Sequence, residues 1–439
     1  MGSMPSPKRV LLLTNSEHGQ ANVFLATSYA LLTLQDEDVE VNFASFAPIQ
    51  KFVAATSQHA TQDHPRARPV IFHPIDGVDM VSAWSRPEIK AEQERLKTPG
   101  WLRLVDAVRR TMLLLRVTLP WTGPEFVRVL WSVVEIVHHV QPDMIAVDPA
   151  FSPALTALRY IGAKFVILSP NTIKDFAMPL QPNGEALWKY PWYVEFPLRV
   201  IPDHIIPCGP MIRPAKPVAT ADPALAKWLA RGPTLYINLG THMRFREEFA
   251  TEMATAIRII IDHARSVLWL LTPGSAVHKI LGRDIEKDNV RIVDWIEAEP
   301  TAVLETGSVI CVVHHGGANS FLETLCAGIP QVVLPVWMDT YDFARRAEIL
   351  GIGRWGNRTA NKMCKGGELG SILIDVMLGG RSSYYTKKAK ELADICNRSG
   401  GGRVFAARRI LAEIEDTDVG RQSDTVGEKK SLVNGNGHC

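Results

Sequence analysis

Val309-Ile310-Cys311-Val312-Val313-His314-His315-Gly316-Gly317-Ala318-Asn319-Ser320-Phe321-Leu322-Glu323 is the stretch on which the reading of this chain turns. Its first five residues are apolar and read as a strand buried on both faces. The Gly-Gly pair makes a turn, and a helix follows that ends near Cys326-Ala327-Gly328. A strand, a glycine turn and a helix start form an anion site, because unpaired backbone N–H groups and the positive helix end meet at one point. Asn319 and Ser320 add side-chain donors there, and His315 adds a basic group. Glu323 lies one turn further along the same helix, placed for a carboxylate to accept from ribose hydroxyls while a phosphate sits at the turn. Trp295, just past the apolar run Val290 to Val293, offers a face to a planar base.

Outward from this segment the chain alternates strands and helices, which predicts parallel sheets covered on both faces. Strands are expected at Val10–Thr14, Val39–Ala44, Val70–His73, Met144–Val147, Lys164–Leu168, Thr234–Leu239 and Ser266–Leu271. Helices are expected at Asn22–Leu34, Trp101–Leu115, Glu125–Val140, Pro153–Ile161 and Glu247–Ala264. Further helices follow at Asp342–Leu350, Gly367–Leu378, Ser382–Ser399 and Arg403–Ile414. Proline and aromatic residues crowd Pro179 to Pro217, the composition of a linker. From Glu415 the chain is polar and is expected to be disordered.

The donor-like segment resembles the signature of the family 1 glycosyltransferases, which use UDP-sugars on small acceptors. That signature starts with Trp, reaches His-Cys-Gly-Trp-Asn-Ser-x-x-Glu and closes with Pro-x-x-x-Asp-Gln. Here Trp295, His315 to Glu323, and Pro335 to Thr340 stand in those places. The gap from Trp295 to His315 is two residues longer than in the plant pattern, Ala318 replaces Trp, and Thr340 replaces Gln. These departures point to a fungal or microbial branch.

The resemblance implies an α/β chain of the GT-B architecture, two doubly wound Rossmann-like domains facing an interdomain cleft. Residues 1–216 would bind the acceptor and 217–400 the UDP-sugar. A helix over 401–416 would cross back to the first domain, and 417–439 would be a disordered tail. The resemblance assigns the donor site to Gly240, Thr241, Trp295, Ile296, His315, Gly317, Ala318, Asn319, Ser320, Glu323, Trp337, Asp339 and Thr340. It makes His18 the general base for the acceptor hydroxyl and Asp148 the carboxylate that orients it. Both lie just past predicted strands, and histidine suits the task because it titrates near neutrality. The expected reaction is inverting transfer of a neutral hexose, glucose first, to a hydrophobic hydroxylated small molecule. UDP-glucose is then a substrate, and no cofactor and no metal are expected. A nucleotide-sugar epimerase of the same fold and a non-catalytic UDP-sugar-binding subunit are the alternatives.

Composition narrows the classes. The chain has 439 residues, 46% of them hydrophobic and 21% charged, as in an ordinary globular protein. A net charge of +2 leaves no nucleic-acid footprint. No apolar run is long enough for a membrane span, and Lys8-Arg9 lead into an apolar run too short for a secretory signal, so a cytoplasmic enzyme is expected. Neither dinucleotide nor P-loop glycine pattern occurs. The six cysteines show no C-x-x-C spacing, and Cys311 and Cys326 are expected to be buried reduced thiols. His138-His139 closes a helix and has no third ligand spaced with it for a metal. His314 should point away from the site that His315 faces, if strand alternation persists.

Overall fold

The computed structural model describes residues 6–96, 116, 118–177, 198, 200–240, 247–261, 266–270, 275–336, 338–360 and 363–415. The expected helix Trp101–Leu115 and the expected disordered tail lie outside these residues. The chain divides into two units, Met1–Ser169 with Arg403–Cys439, and Pro170–Gly402. The first division thus falls at residue 169, where the sequence reading put it at 216. Lys174 pairs with Asp342 and Arg213 with Glu299, both within the second unit.

The first unit holds five strands: β1 (Lys8–Leu13), β2 (Val39–Ser45), β3 (Ile71–Pro74), β4 (Met144–Val147) and β5 (Phe165–Ile167). All pair in parallel, in the order β3-β2-β1-β4-β5. Val10 to Leu13 of β1 are wholly buried, so the central strand is a continuous apolar run rather than an alternating one. Leu11 and Leu13 pack with Val129, Val133 and Val137 of the helix Gly123–Val140. Those valines recur every four residues and make one stripe. Thr122 and Glu125 close a capping box at the start of this helix, and Gln141 ends it at φ 49° ahead of Pro142. Residues 401–415 are helical, and from Arg403 on they belong with this unit. Arg408 pairs there with Asp36, and Lys8 with Glu415.

The second unit holds six strands: β6 (Thr234–Asn238), β7 (Ser266–Leu270), β8 (Val290–Val293), β9 (Val309–His314), β10 (Gln331–Val333) and β11 (Gly353–Trp355). They too are all parallel, in the order β11-β10-β9-β6-β7-β8. Leu235 and Ile237 of β6 pack with the helices Glu247–Ile260 and Gly366–Met377, while Tyr236 packs on the opposite face with Trp228 and Val303. The sequence reading did not identify β10 or β11. Each has three residues, too few to carry a period.

In each sheet the strand order turns back at one place. β1 lies between β2 and β4, and β6 lies between β7 and β9. In open parallel sheets the crevice outside the carboxyl ends at such a switch point is where ligands bind.

Candidate functional site

At the first switch point β1 and β4 run in register, Leu13 opposite Val147, so Thr14 and Asp148 leave the sheet side by side. The Asp148 N–H donates to Leu13 O at 3.0 Å. Its carboxylate is wholly buried. Oδ2 accepts from the Thr14 hydroxyl at 3.2 Å and from the Asn15 N–H at 3.5 Å, and Oδ1 accepts from the Ala150 N–H at 2.8 Å. Burial pushes this carboxyl up to about 6 despite those donors, with the nearby Glu17 charge adding to the rise. Asp148 is not the cap of the helix Ser152–Tyr160, whose N-cap is Phe151.

His18 is the first residue of the helix His18–Thr33 and is exposed. The sequence reading began this helix at Asn22. It starts a turn earlier because Glu17 caps it, its carboxylate accepting from the Gln20 N–H at 2.9 Å. The edge of the imidazole meets Phe52, with ring centres 4.5 Å apart. Phe52 sits on the helix Gln50–Asp63, an element not expected from sequence. The same turn is braced from below, where the Ser16 hydroxyl donates to Asp79 at 2.7 Å.

At the second switch point β6 and β9 place Asn238 opposite His314. Asn238 Oδ1 accepts from the Gly240 N–H at 3.0 Å and folds the chain into a tight turn. Gly240 has φ +81°, and a Cβ there would lie 2.7 Å from the His315 ring. A Cβ on Gly317 would lie 2.6 Å from the same ring. The His315 imidazole thus fits between two bare backbones, at the start of the helix Ala318–Cys326. Gly317 is the N-cap and offers no side chain, so the first N–H groups of that helix have no carbonyl partner within it. Asn319 and Ser320 are half-buried in this first turn.

His314 has a different task. It is wholly buried, its Nδ1 accepts from the Gly316 N–H at 3.0 Å, and its Nε2 donates to Gln331 Oε1 at 2.6 Å. Burial holds it neutral, down to about 3. It therefore pins the glycine turn from inside the sheet, while the His315 ring lies against Gly240 and Gly317.

Glu323 is half-buried, and burial pushes its carboxyl up to about 7. The Arg213 charge and a hydrogen bond from the Thr301 hydroxyl pull it down, and Glu299 pushes it up. Arg213 is itself bonded to Glu299. Sequence reasoning missed these three residues. Glu299-Pro300 signals a helix start, and indeed opens the helix Pro300–Leu304, but nothing in the proline-rich segment singles out Arg213.

Trp295 stands 67% exposed past the end of β8, while its neighbour Ile296 is buried in the core. Asp339 lies in the first turn of the helix Met338–Ile349 and is exposed. Its carboxyl is nonetheless raised, first by desolvation and then by Asp175 and Asp342. Thr340 departs from the sequence reading. It is wholly buried, and its hydroxyl accepts from the Val336 N–H at 3.1 Å, so it fastens the loop after β10 instead of presenting a hydroxyl outward. Thr241 and Trp337 lie outside the described residues. Among the described residues no cluster of three or more His, Cys, Asp or Glu is arranged to hold a metal, and no helix is long and apolar enough to cross a membrane.

Comparison with known proteins fixes the family. Glycosyltransferase sdnJ of Sordaria araneosa is 30% identical, and the match covers 91% of this chain and 97% of that one. The chain belongs to the family 1 UDP-glycosyltransferases. Residues 279–364, which carry most of the second site, match the family described as erythromycin biosynthesis protein CIII-like, C-terminal domain. UDP-glycosyltransferase 84A3 of Arabidopsis thaliana is 29% identical over 50% of this glycosyltransferase and 49% of its own length. Among solved structures, a UDP-glucosyltransferase from Polygonum tinctorium superposes with a TM-score of 0.64 at 16% identity, covering 94% of this chain and 99% of that one. That likeness shows the GT-B fold, two doubly wound α/β halves.

Proposed function

We propose that this glycosyltransferase moves a hexose, glucose before others, from a UDP-sugar to a hydroxyl of a hydrophobic small molecule, with inversion at the anomeric carbon. The observation that carries the reading is topological. Each sheet's only reversal of strand order among the described strands coincides with the residues expected to do the chemistry, His18 and Asp148 in one unit, Gly240 and His315 in the other.

In this reading His18 accepts the acceptor's hydroxyl proton as the oxygen attacks the anomeric carbon. Asp148, fixed by Thr14, Asn15 and Ala150, sets the orientation of the imidazole and stabilises its cation. The bond from the anomeric carbon to the diphosphate breaks on the opposite side, and the electron pair leaves with UDP. The N–H groups at the start of Ala318–Cys326, with His315 and Ser320, receive the diphosphate charge. Glu323 accepts from the ribose hydroxyls, Trp295 stacks on the base, and Asp339 accepts from the sugar.

Those donors neutralise the leaving group without a metal, so activity should survive excess EDTA. The deciding experiment incubates the protein with UDP-glucose, an acceptor panel of phenols, flavonoids and polyketides, and EDTA, and reads products by mass spectrometry. A product heavier than its acceptor by one hexosyl group supports the proposal. Conversion of UDP-glucose without any acceptor, or complete dependence on added Mn²⁺ or Mg²⁺, overturns it.

A further inference from the structure

Two thiols meet at the far end of the helix that carries the donor motif. Cys326 is the last residue of Ala318–Cys326, and Cys396 is the last residue of Ser382–Cys396. Their side chains lie within interaction range of each other. The two helices are held close around them. The Asn397 amide donates to Cys326 O at 2.8 Å, and a Cβ on Gly328 would lie 3.4 Å from Ala393. Both cysteines border one apolar cluster with Phe321, Leu325 and Phe343.

We propose that Cys326 and Cys396 are an oxidation site, a thiol pair that a peroxide converts into a reversible disulfide within the second unit. The bond would join the donor-motif helix to the helix that precedes the crossing to the first unit at Gly402–Arg403.

The neighbourhood suits this chemistry. Arg346 is buried, its guanidinium 5.3 Å from the centre of the Phe321 ring and 5.8 Å from that of Phe343. The neighbouring Cys326 side chain, with the Arg346 charge behind it, lowers the Cys396 thiol from its ordinary value against the opposing effect of burial. The other described cysteines go the opposite way. Burial pushes Cys208 up to about 11, and Cys311 and Cys364 up to about 12. A thiolate is the nucleophile, so reaction is directed to Cys396. Cys326 is only partly buried and opens the pair to solvent.

The steps balance. Cys396 as thiolate attacks one peroxide oxygen, the O–O bond breaks, and the departing oxygen takes up a proton and leaves as water. Cys396 is then a sulfenic acid. The Cys326 sulfur attacks that sulfur, the S–O bond breaks, and a second water leaves with the Cys326 proton. Two thiols are oxidised and one hydrogen peroxide is reduced to two waters.

The test uses the full chain, reduced and freed of reductant, then exposed to a few equivalents of hydrogen peroxide. Remaining thiols are blocked with N-ethylmaleimide, and the protein is digested without reduction. The expected result is a linked peptide pair containing Cys326 and Cys396 that dithiothreitol separates. The closed loop restrains the unfolded chain, so oxidation should raise the melting temperature by roughly 5–10 °C. Cys326→Ser and Cys396→Ser should each abolish both the linked peptide and the shift. Recovery of both cysteines as maleimide adducts overturns the proposal. So does Cys396 recovered as sulfinic acid beside a blocked Cys326, or a bond from either to another cysteine. Should a variant fail to fold, the wild-type peptide map decides alone.

Discussion

At the first switch point the carboxylate of Asp148 is enclosed by three donors, two of them backbone N–H groups. At the second, Glu323 receives the Thr301 hydroxyl and otherwise sits near the Arg213–Glu299 ion pair. Both carboxyls are raised by burial, to about 6 and about 7. The difference lies in what remains to be bonded. Asp148 is held by donors from its own strand ends, and in the proposed reaction it acts through His18. Glu323, in the proposed reaction, accepts from hydroxyls that arrive with the ligand. The carboxylate directly after β4 is thus tied to its own backbone, whereas the one inside the helix Ala318–Cys326 is proposed to receive a ligand.

The widest break in this comparison should come from His18→Ala. Losing a positioned base should reduce transfer by roughly 10²–10⁴-fold. His18 is exposed, so folding should be spared, and calorimetry should find the UDP affinity of the variant unchanged. A variant that no longer binds UDP would dissolve the division of labour between the two units.

Next in size is Glu323→Gln. Charge-assisted hydrogen bonds to ribose are worth about 1.5–3 kcal/mol, so UDP should bind roughly one to two orders of magnitude more weakly. In the wild type only the ionised form accepts from both ribose hydroxyls. UDP affinity should therefore rise with pH up to about 7 and level off above it. The difference between wild-type and Glu323→Gln titrations isolates this group from the titration of UDP itself. Parallel curves for the two proteins would move the ribose elsewhere.

A smaller effect tests the buried state of Asp148. Its folded value, about 6, lies above the ordinary 3.8, so the folded chain holds a proton that the unfolded chain releases. Stability from this group is greatest at low pH and declines as pH rises through about 4 to 6. Between about pH 5 and 7.5 the decline should be roughly 1–2 kcal/mol. Denaturant unfolding at both pH values, wild type against Asp148→Asn, reads it. The same pH slope in both proteins would mean that Asp148 is ionised at no cost.

The smallest effect is assigned to Thr340→Val. Removing the hydroxyl that accepts the Val336 N–H should cost about 0.5–1.5 kcal/mol of stability. The ranking of UDP-sugars in competition assays should not change, whereas Asp339→Ala should weaken every sugar-dependent step. Altered sugar ranking in Thr340→Val would return that hydroxyl to the donor.

The sequence alone marked the candidate chemistry-bearing segments and the family. His315 to Glu323 was legible because its residues are contiguous, and strand, glycine turn and helix start are local properties. The ends of β1 and β4 were legible for the same reason, as apolar runs followed by His18 and Asp148. Only the tertiary structure decided which strand ends are neighbours, since the order β2-β1-β4 and β7-β6-β9 is set by pairings between segments far apart in the chain. It also decided that His314 pins the turn from within, that Thr340 is turned inward, that Arg213 and Thr301 attend Glu323, and that Cys326 meets Cys396. Each of these depends on where two distant backbones bring their side chains, and a one-dimensional pattern holds no record of that distance.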